Sequence, residues 1–462
     1  MTGRPGVGHS DGSAFARVAA AGAALRRYWS GRRALILTHG ISENALGTIA
    51  ELAMLGVKEL AVCCAAPATA ESFECAEVWS CDPDRHLSTL EFDAWLGNPP
   101  ADFIAWLDRL DPDRDLLLLG SPMTSTGEVR GRPVHGWRRP AWAMLEDKTR
   151  IDQLWGAVGV PSPAHVVAAV GDPSFAAQVS ALDRGFGVVL AGDATRGFVG
   201  VTRGLRWVRS DEQCEAALEW FATRTDRIRA AEFLPGVPCS VLAMVLRDGV
   251  AVFDPIEIVT LQDRVRSEFV QVGSSTWWRP DSESAEQMRH CTRLVGEAIA
   301  ETAGYRGMFS IDGILTRSGF AATELNSRHA GGLGLHAGWP EFPINSLQRA
   351  VQEKLPGLVD LSASDLEEVV RAAVRGNPSY SLWAPAPPGM DGTAGIESLV
   401  TVARPEPFRQ TVRYLVEGDR AYLEAVDPHL PDRAAGPAAA ALGNALGSTR
   451  ALTSPRDDAE GS

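Results

Sequence analysis

The segment RGMFSIDGILTRSGFAATELNSR (306–328) decides the fold. It reads as a hairpin of two strands. Side chains two apart on a strand share a face, so Glu324 and Asn326 point the same way. Asp312 lies across the hairpin and can join them, and Arg328 sits one step further along the same face. Two carboxylates and an amide oxygen on one face make a hard oxygen cluster. Mg²⁺ takes such a cluster when it also holds phosphates, because several of its positions stay open. A guanidinium at Arg328 can grip phosphate or carboxylate in a fork. The plain alternative is a solvated ribbon, but the flanks FSIDGIL and AATEL are too apolar for one.

Upstream of this hairpin the chain alternates. RALILTHG (33–40), KELAVCCAA and DLLLLGSP (115–122) read as strands, with helices over 43–56 and ADFIAWLDRL between them. That order predicts a parallel α/β lobe over roughly 30–145. Next, DKTRIDQLWGAVGVPSP (147–163) opens as a helix capped by Asp147. AHVVAAV, FGVVLAG, FVGVTRG and RIRAAEFLPG read as strands, with GDATRG (192–197) as a Gly-containing turn. CSVLAMVLRDGVAVFDPIEIVTL follows as strands with an Arg-Asp-Gly hairpin, and 283–304 as a long amphipathic helix. The stretch 260–283 reads as a polar insertion between a strand and that helix. Beyond helix 364–375, ESLVTVA, TVRYLVE and AYLEAV read as an antiparallel unit, and the tail as disordered.

Composition bounds the function. The 462 residues are 45% hydrophobic and 22% charged, enough apolar content for a sizeable core. The net charge of −14 argues against non-specific nucleic-acid binding. Only Lys58, Lys148 and Lys354 are lysine, so 41 of the 44 basic residues are arginine. The seven cysteines form no CxxC or zinc pattern and read as free thiols of a reducing cytoplasm. No signal peptide and no membrane span are visible, so the expectation is a cytoplasmic protein.

The order Asp312, then Glu324-x-Asn326-x-Arg328, resembles the metal-binding end of the ATP-grasp superfamily. Other pieces follow in that family's order. EDKTRIDQLWGAVGVPSP resembles the segment whose lysine contacts nucleotide phosphates, which makes Lys148 that lysine. GFGVVLAGDATRGFVG resembles the strand and Gly-rich loop that close over the phosphates, with Gly197 in the loop. AAEFLPGVPCSV resembles the linker whose backbone, here around Glu232, Phe233 and Leu234, reads the adenine. The resemblance covers roughly 140–345 and implies ATP and Mg²⁺ as cofactors. Two positions depart from the pattern. Ala191 stands where a second phosphate lysine is usual, which makes Arg196 in the loop the candidate substitute. Pro238 stands where a glutamate often holds the ribose.

The resemblance implies an α/β and α+β chain in three parts: an N-terminal parallel domain (1–145), a small subdomain (146–233) and a large subdomain (234–450), with a tail at 451–462. It implies ligation of a carboxylate to an amine through an acylphosphate. Asp312, Glu324 and Asn326 would position the metal; Lys148, Arg196 and Arg328 would stabilise phosphoryl oxygens. Glu257, Arg264, Arg266 and the glycines Gly331 and Gly332 are weaker substrate candidates. The partners implied are small molecules, an amino acid and an amine or peptide, with no nucleic acid and no membrane; a homodimer stays open. Stand-alone amino-acid and peptide ligases of the pheganomycin type are similar in overall look. A degenerate nucleotide-binding protein and a carboxylase or phosphotransferase on the same fold are the rival readings.

Overall fold

The computed structural model describes residues 12–73, 75, 77–194, 204–263, 268–276, 278–329, 342–355 and 361–376, plus strands at 380–383, 398–401, 410–417, 420–426 and 452–453. The first sheet holds β1 (Arg33–Thr38), β2 (Glu59–Cys64), β3 (Glu77–Ser80), β4 (Leu117–Gly120), β5 (Glu128–Val129) and β6 (Arg132–His135). Its order is β3-β2-β1-β4-β6-β5, parallel throughout except for the β5–β6 edge. Strands such as LILT are apolar on both faces because helices cover both sides. The helix Glu43–Met54 starts where the Ser42 hydroxyl accepts from the Ala45 amide.

The second sheet holds β7 (His165–Ala169), β8 (Val188–Gly192), β9 (Leu205–Val208) and β10 (Arg227–Glu232), antiparallel in the order β7-β10-β8-β9. Residues alternate across it. Ala168, Val188, Leu190, Ile228 and Ala230 form a self-contained core with Phe175, Val179 and Phe221 from two helices. The opposite face looks into a cavity.

The third sheet holds β11 (Val237–Val245), β12 (Val250–Val252), β13 (Ile256–Asp263), β14 (Glu268–Ser275), β15 (Gly307–Thr316), β16 (Gly319–Asn326), β17 (Tyr380–Trp383) and β18 (Ser398–Thr401). A separate hairpin pairs β19 (Gln410–Glu417) with β20 (Arg420–Val426), and β21 (Leu452–Thr453) pairs with β13. On β11 the odd residues Val237, Cys239, Val241 and Ala243 pack on the helix Ser282–Thr302 through Met288, Cys291, Val295 and Ile299. The even residues Leu242 and Met244 join a different core, which also takes Val18 and Leu25, Ile36 and Val62, and Leu366 and Val370. The N-terminal sheet and the large sheet therefore share one core. Arg17 reinforces it through a two-pronged contact with Asp365.

Three local readings change, and a fourth falls outside the described residues. Asp147 does not cap the helix, which runs Ile151–Val158 with no side-chain cap at Arg150. Its Oδ1 instead accepts from the Thr149 amide (2.9 Å) and hydroxyl (2.8 Å), a turn that satisfies Asp147 before the helix begins. The 260–283 insertion is largely ladder, since β13 continues to Asp263 and β14 returns beside it. Trp278 packs into the core. ESLVTVA does not join the later strands; it supplies β18, at the edge of the large sheet against β17. FVGVTRG (198–204) lies outside the described residues except for Gly204, and β9 begins at Leu205.

Candidate functional site

The β15–β16 hairpin sets Asp312 directly opposite Glu324, and Ser310 opposite Asn326. On β15 the odd residues Phe309 and Ile311 face the core, so Ser310 and Asp312 face the cavity. A bulge between Asp312 and Gly313 leaves Thr323 as the extra residue of β16, which keeps Glu324 and Asn326 on the cavity side. Gly313 permits this. A Cβ there would sit 2.4 Å from the Ala321 carbonyl oxygen and 2.4 Å from the Phe320 ring. Gly313→Ala is expected to lower stability by about 1–3 kcal/mol by overpacking. Denaturant unfolding reads it, and a wild-type midpoint would show that the bulge relaxes freely.

Charge is compensated within the cluster. Lys148 Nζ lies 2.5 Å from Glu324 Oε2. Asp312 accepts from Ser240 Oγ (2.6 Å) and Asn326 Nδ2 (2.9 Å). Arg328 Nη2 donates to Asn326 Oδ1 at 2.7 Å. Burial and the neighbouring Glu324 raise the Asp312 carboxyl to about 6. Burial works the same way on Glu324, but Lys148 and Arg328 more than offset it and hold that carboxyl below its ordinary value. Behind them sits Glu146, 4% exposed, which takes Arg138 at 2.6 Å, Arg328 at 3.3 Å and the Ser327 hydroxyl at 3.1 Å.

A cavity of about 440 Å³ runs from this cluster to the 232–234 segment. That volume is in the range of small-molecule sites. Lys148, Ala191, Glu232, Phe233, Leu234, Asp312, Glu324, Asn326 and Arg328 all line it. Its far end is apolar, with Val189, Leu205, Ile258 and Phe269 on the walls. Phe233 stacks on Trp207 (ring centroids 5.3 Å apart) and on Phe269 (6.3 Å). The Glu232 and Phe233 amides already donate to Ala164 and Gly187 carbonyls, and the Glu232 carboxylate accepts from the Ala164 amide. Only part of this segment's backbone is thus open to a ligand, with the Leu234 amide its unengaged donor among the described residues.

Other sequence candidates fall elsewhere. Glu257 is fully buried, and its neighbours Ile256 and Ile258 take the cavity side of β13. Its partner across the ladder is Cys239, on the core face. It is therefore not a cavity residue. Arg196, Gly197, Arg264, Arg266, Gly331 and Gly332 lie outside the described residues. Sequence reasoning missed Ser240, Ser310, Glu146 and Arg138, which arrive from distant segments.

A divalent cation's fit follows from the donor set. Asp312, Glu324 and Asn326 are hard oxygen donors, and the Asn326 oxygen becomes available if its amide turns away from Arg328. Among the described residues no group of three or more His, Cys, Asp or Glu side chains converges. Two carboxylates suit a cation that takes its remaining ligands from phosphate and water, as Mg²⁺ does.

No family model and no curated protein sequence matches the chain. Solved structures do. The biotin carboxylase domain of the Hydrogenobacter thermophilus 2-oxoglutarate carboxylase, a dimer with MgADP, ADP and bicarbonate, has a TM-score of 0.55 at 16% identity. The match covers 86% of this chain and 83% of that one. The L-amino acid ligase of Bacillus licheniformis gives 0.51 at 13% identity, covering 77% and 81%. Carboxyaminoimidazole ribonucleotide synthase of Aspergillus clavatus, solved with ATP, gives 0.51 at 15% identity, covering 78% and 84%. The likeness is one of fold: the chain has the ATP-grasp fold.

Proposed function

We propose that the chain is an ATP-dependent ligase that activates a carboxylate as an acylphosphate and joins it to an amine. In the finer form of this reading the partners are an amino acid and an amine or peptide, and ATP and Mg²⁺ are the cofactors. One observation carries it. A single cavity is apolar beside the 232–234 segment and ends on Asp312, Glu324 and Asn326 with Lys148 and Arg328 beside them. A base, a sugar and a run of phosphates make the same demand in the same order.

Asp312, Glu324 and Asn326 would hold the metal, which when bound neutralises phosphate oxygens during phosphoryl transfer. Lys148 leaves Glu324 to meet a phosphate oxygen. Arg328, held by Glu146 and Asn326, fixes an oxygen of the transferring group or of the carboxylate. The stacked aromatics Trp207, Phe233 and Phe269 keep water from the base end. No helix among the described residues is long and apolar enough to cross a membrane.

Ala191 and Pro238 line the cavity without side chains for phosphate or ribose, which favours a second reading, a nucleotide binder without turnover. One experiment separates the two. The protein is incubated with Mg-ATP and a panel of amino acids and short peptides, and phosphate release and product mass are followed. ADP, phosphate and a condensed product are expected, with turnover stopped by a metal chelator. Binding without turnover across the panel supports the second reading. AMP and pyrophosphate would exclude an acylphosphate.

A further inference from the structure

The nucleotide reading leaves a gap at Ala191, where a cation is missing from β8. The neighbouring strand fills it. Ala191 pairs directly with Arg229 on β10, and directly opposed residues share a face of the sheet. Val189, Ala191 and Leu205 are on that face, and Arg229 lines the cavity with them. The Arg229 side chain is 7% exposed and lines the cavity beside the small residues Ala191 and Ala231.

Its orientation is fixed from behind. Asp152, on the helix Ile151–Val158, accepts from Arg229 Nε at 2.6 Å and Nη2 at 2.8 Å. Asp152 is itself 7% exposed, and His165 Nδ1 stands 3.4 Å from its carboxylate. This two-pronged clamp leaves Nη1 unengaged among the described residues. Depth along the strand fixes what Nη1 meets. Arg229 stands three residues before Glu232, about 10 Å along β10 from the segment beside the base end. That distance carries a nucleotide from its base to its phosphates. Lys148 and Glu324 line the same cavity.

We propose that Arg229, clamped by Asp152, is the second cation of the phosphate site and does from β10 what a lysine at position 191 would do from β8. This rests on the nucleotide reading above. It makes Arg229 a binding residue that the sequence pattern hides, because the cation has moved to the adjacent strand.

The test is calorimetric titration with MgADP and, separately, adenosine. Removing Arg229 alone would strand a buried carboxylate, so the variant is Arg229→Met with Asp152→Asn. Its MgADP affinity is expected to fall about 10- to 100-fold, the weight of a hydrogen bond to a charged group, with adenosine affinity little changed. Adding Ala191→Lys to that variant should recover MgADP binding, which a purely structural role of the pair would not allow. Arg229→Lys, which keeps a cation and is less exposed to misfolding, should bind MgADP between wild type and the double variant. A folded double variant with wild-type MgADP affinity overturns the proposal. So does a parallel loss of adenosine affinity. Wild-type protein that binds neither probe overturns the nucleotide reading itself, a result distinct from either.

Discussion

Replacing Glu324 by alanine is expected to abolish turnover while leaving the protein folded. Glu324 faces the cavity rather than a core, its side chain is 28% exposed, and its one strong contact is with Lys148. Removing it therefore opens no void in packed apolar structure. The loss falls on charge. Glu324 is one of only two carboxylates at the oxygen cluster, and its deletion leaves Asp312 alone to hold a doubly charged ion and its phosphates. Lys148 would also lose the partner that positions it. Loss of a group that acts only as charge shifts costs about 10²–10³ in rate, and one that also carries the metal costs more. Phosphate release measures the loss and circular-dichroism melting measures the fold. Turnover within tenfold of wild type would remove Glu324 from the site.

Glu146→Ala is expected to cost about 3–5 kcal/mol of stability, because it breaks a buried ion pair from one side. Arg138, 9% exposed, would keep its charge without the carboxylate 2.6 Å away. The Ser327 hydroxyl would retain the Trp142 carbonyl but lose its second partner. Glu146→Gln, which keeps the shape and an acceptor oxygen, should lose less. Turnover should fall further than stability alone explains, since Arg328 loses its contact with Glu146. Urea unfolding gives the first quantity and phosphate release the second. A loss below 1 kcal/mol in Glu146→Ala would mean that water replaces the carboxylate at no cost.

The 306–328 hairpin was legible because its chemistry repeats every second residue within one short segment. The bulge at Thr323 was not, since a single extra residue leaves no mark on composition. The parallel sheet was legible from its apolar strands separated by helices. β14 was hidden because Gln271, Ser274 and Ser275 read as loop, and only pairing with β13 makes them a strand. Glu257 was misplaced for an instructive reason. On most strands the polar residue marks the open side, but this cavity is apolar at one end, so the isoleucines took it and the acid went inward. Ser240, Glu146 and Arg229 were out of reach in sequence because each is defined by a partner on another element: Asp312, Arg328 and Ala191.

The shared core has a mechanical consequence. The first sheet and the large sheet meet through Val18, Ile36, Leu242 and Leu366, so neither can tilt without tearing apolar contacts on the other. The four-stranded sheet has a core made only of its own residues. The four-stranded sheet is tied to the rest by side-chain contacts such as Phe233 on Phe269 and Arg229 on Asp152, and by the two places where the chain passes between them. Those are the turn at Pro161–Ala164 and the segment after Glu232, which flank the apolar end of the cavity. A hinge at that end swings the opposite end through the longest arc, and there the oxygen cluster lies.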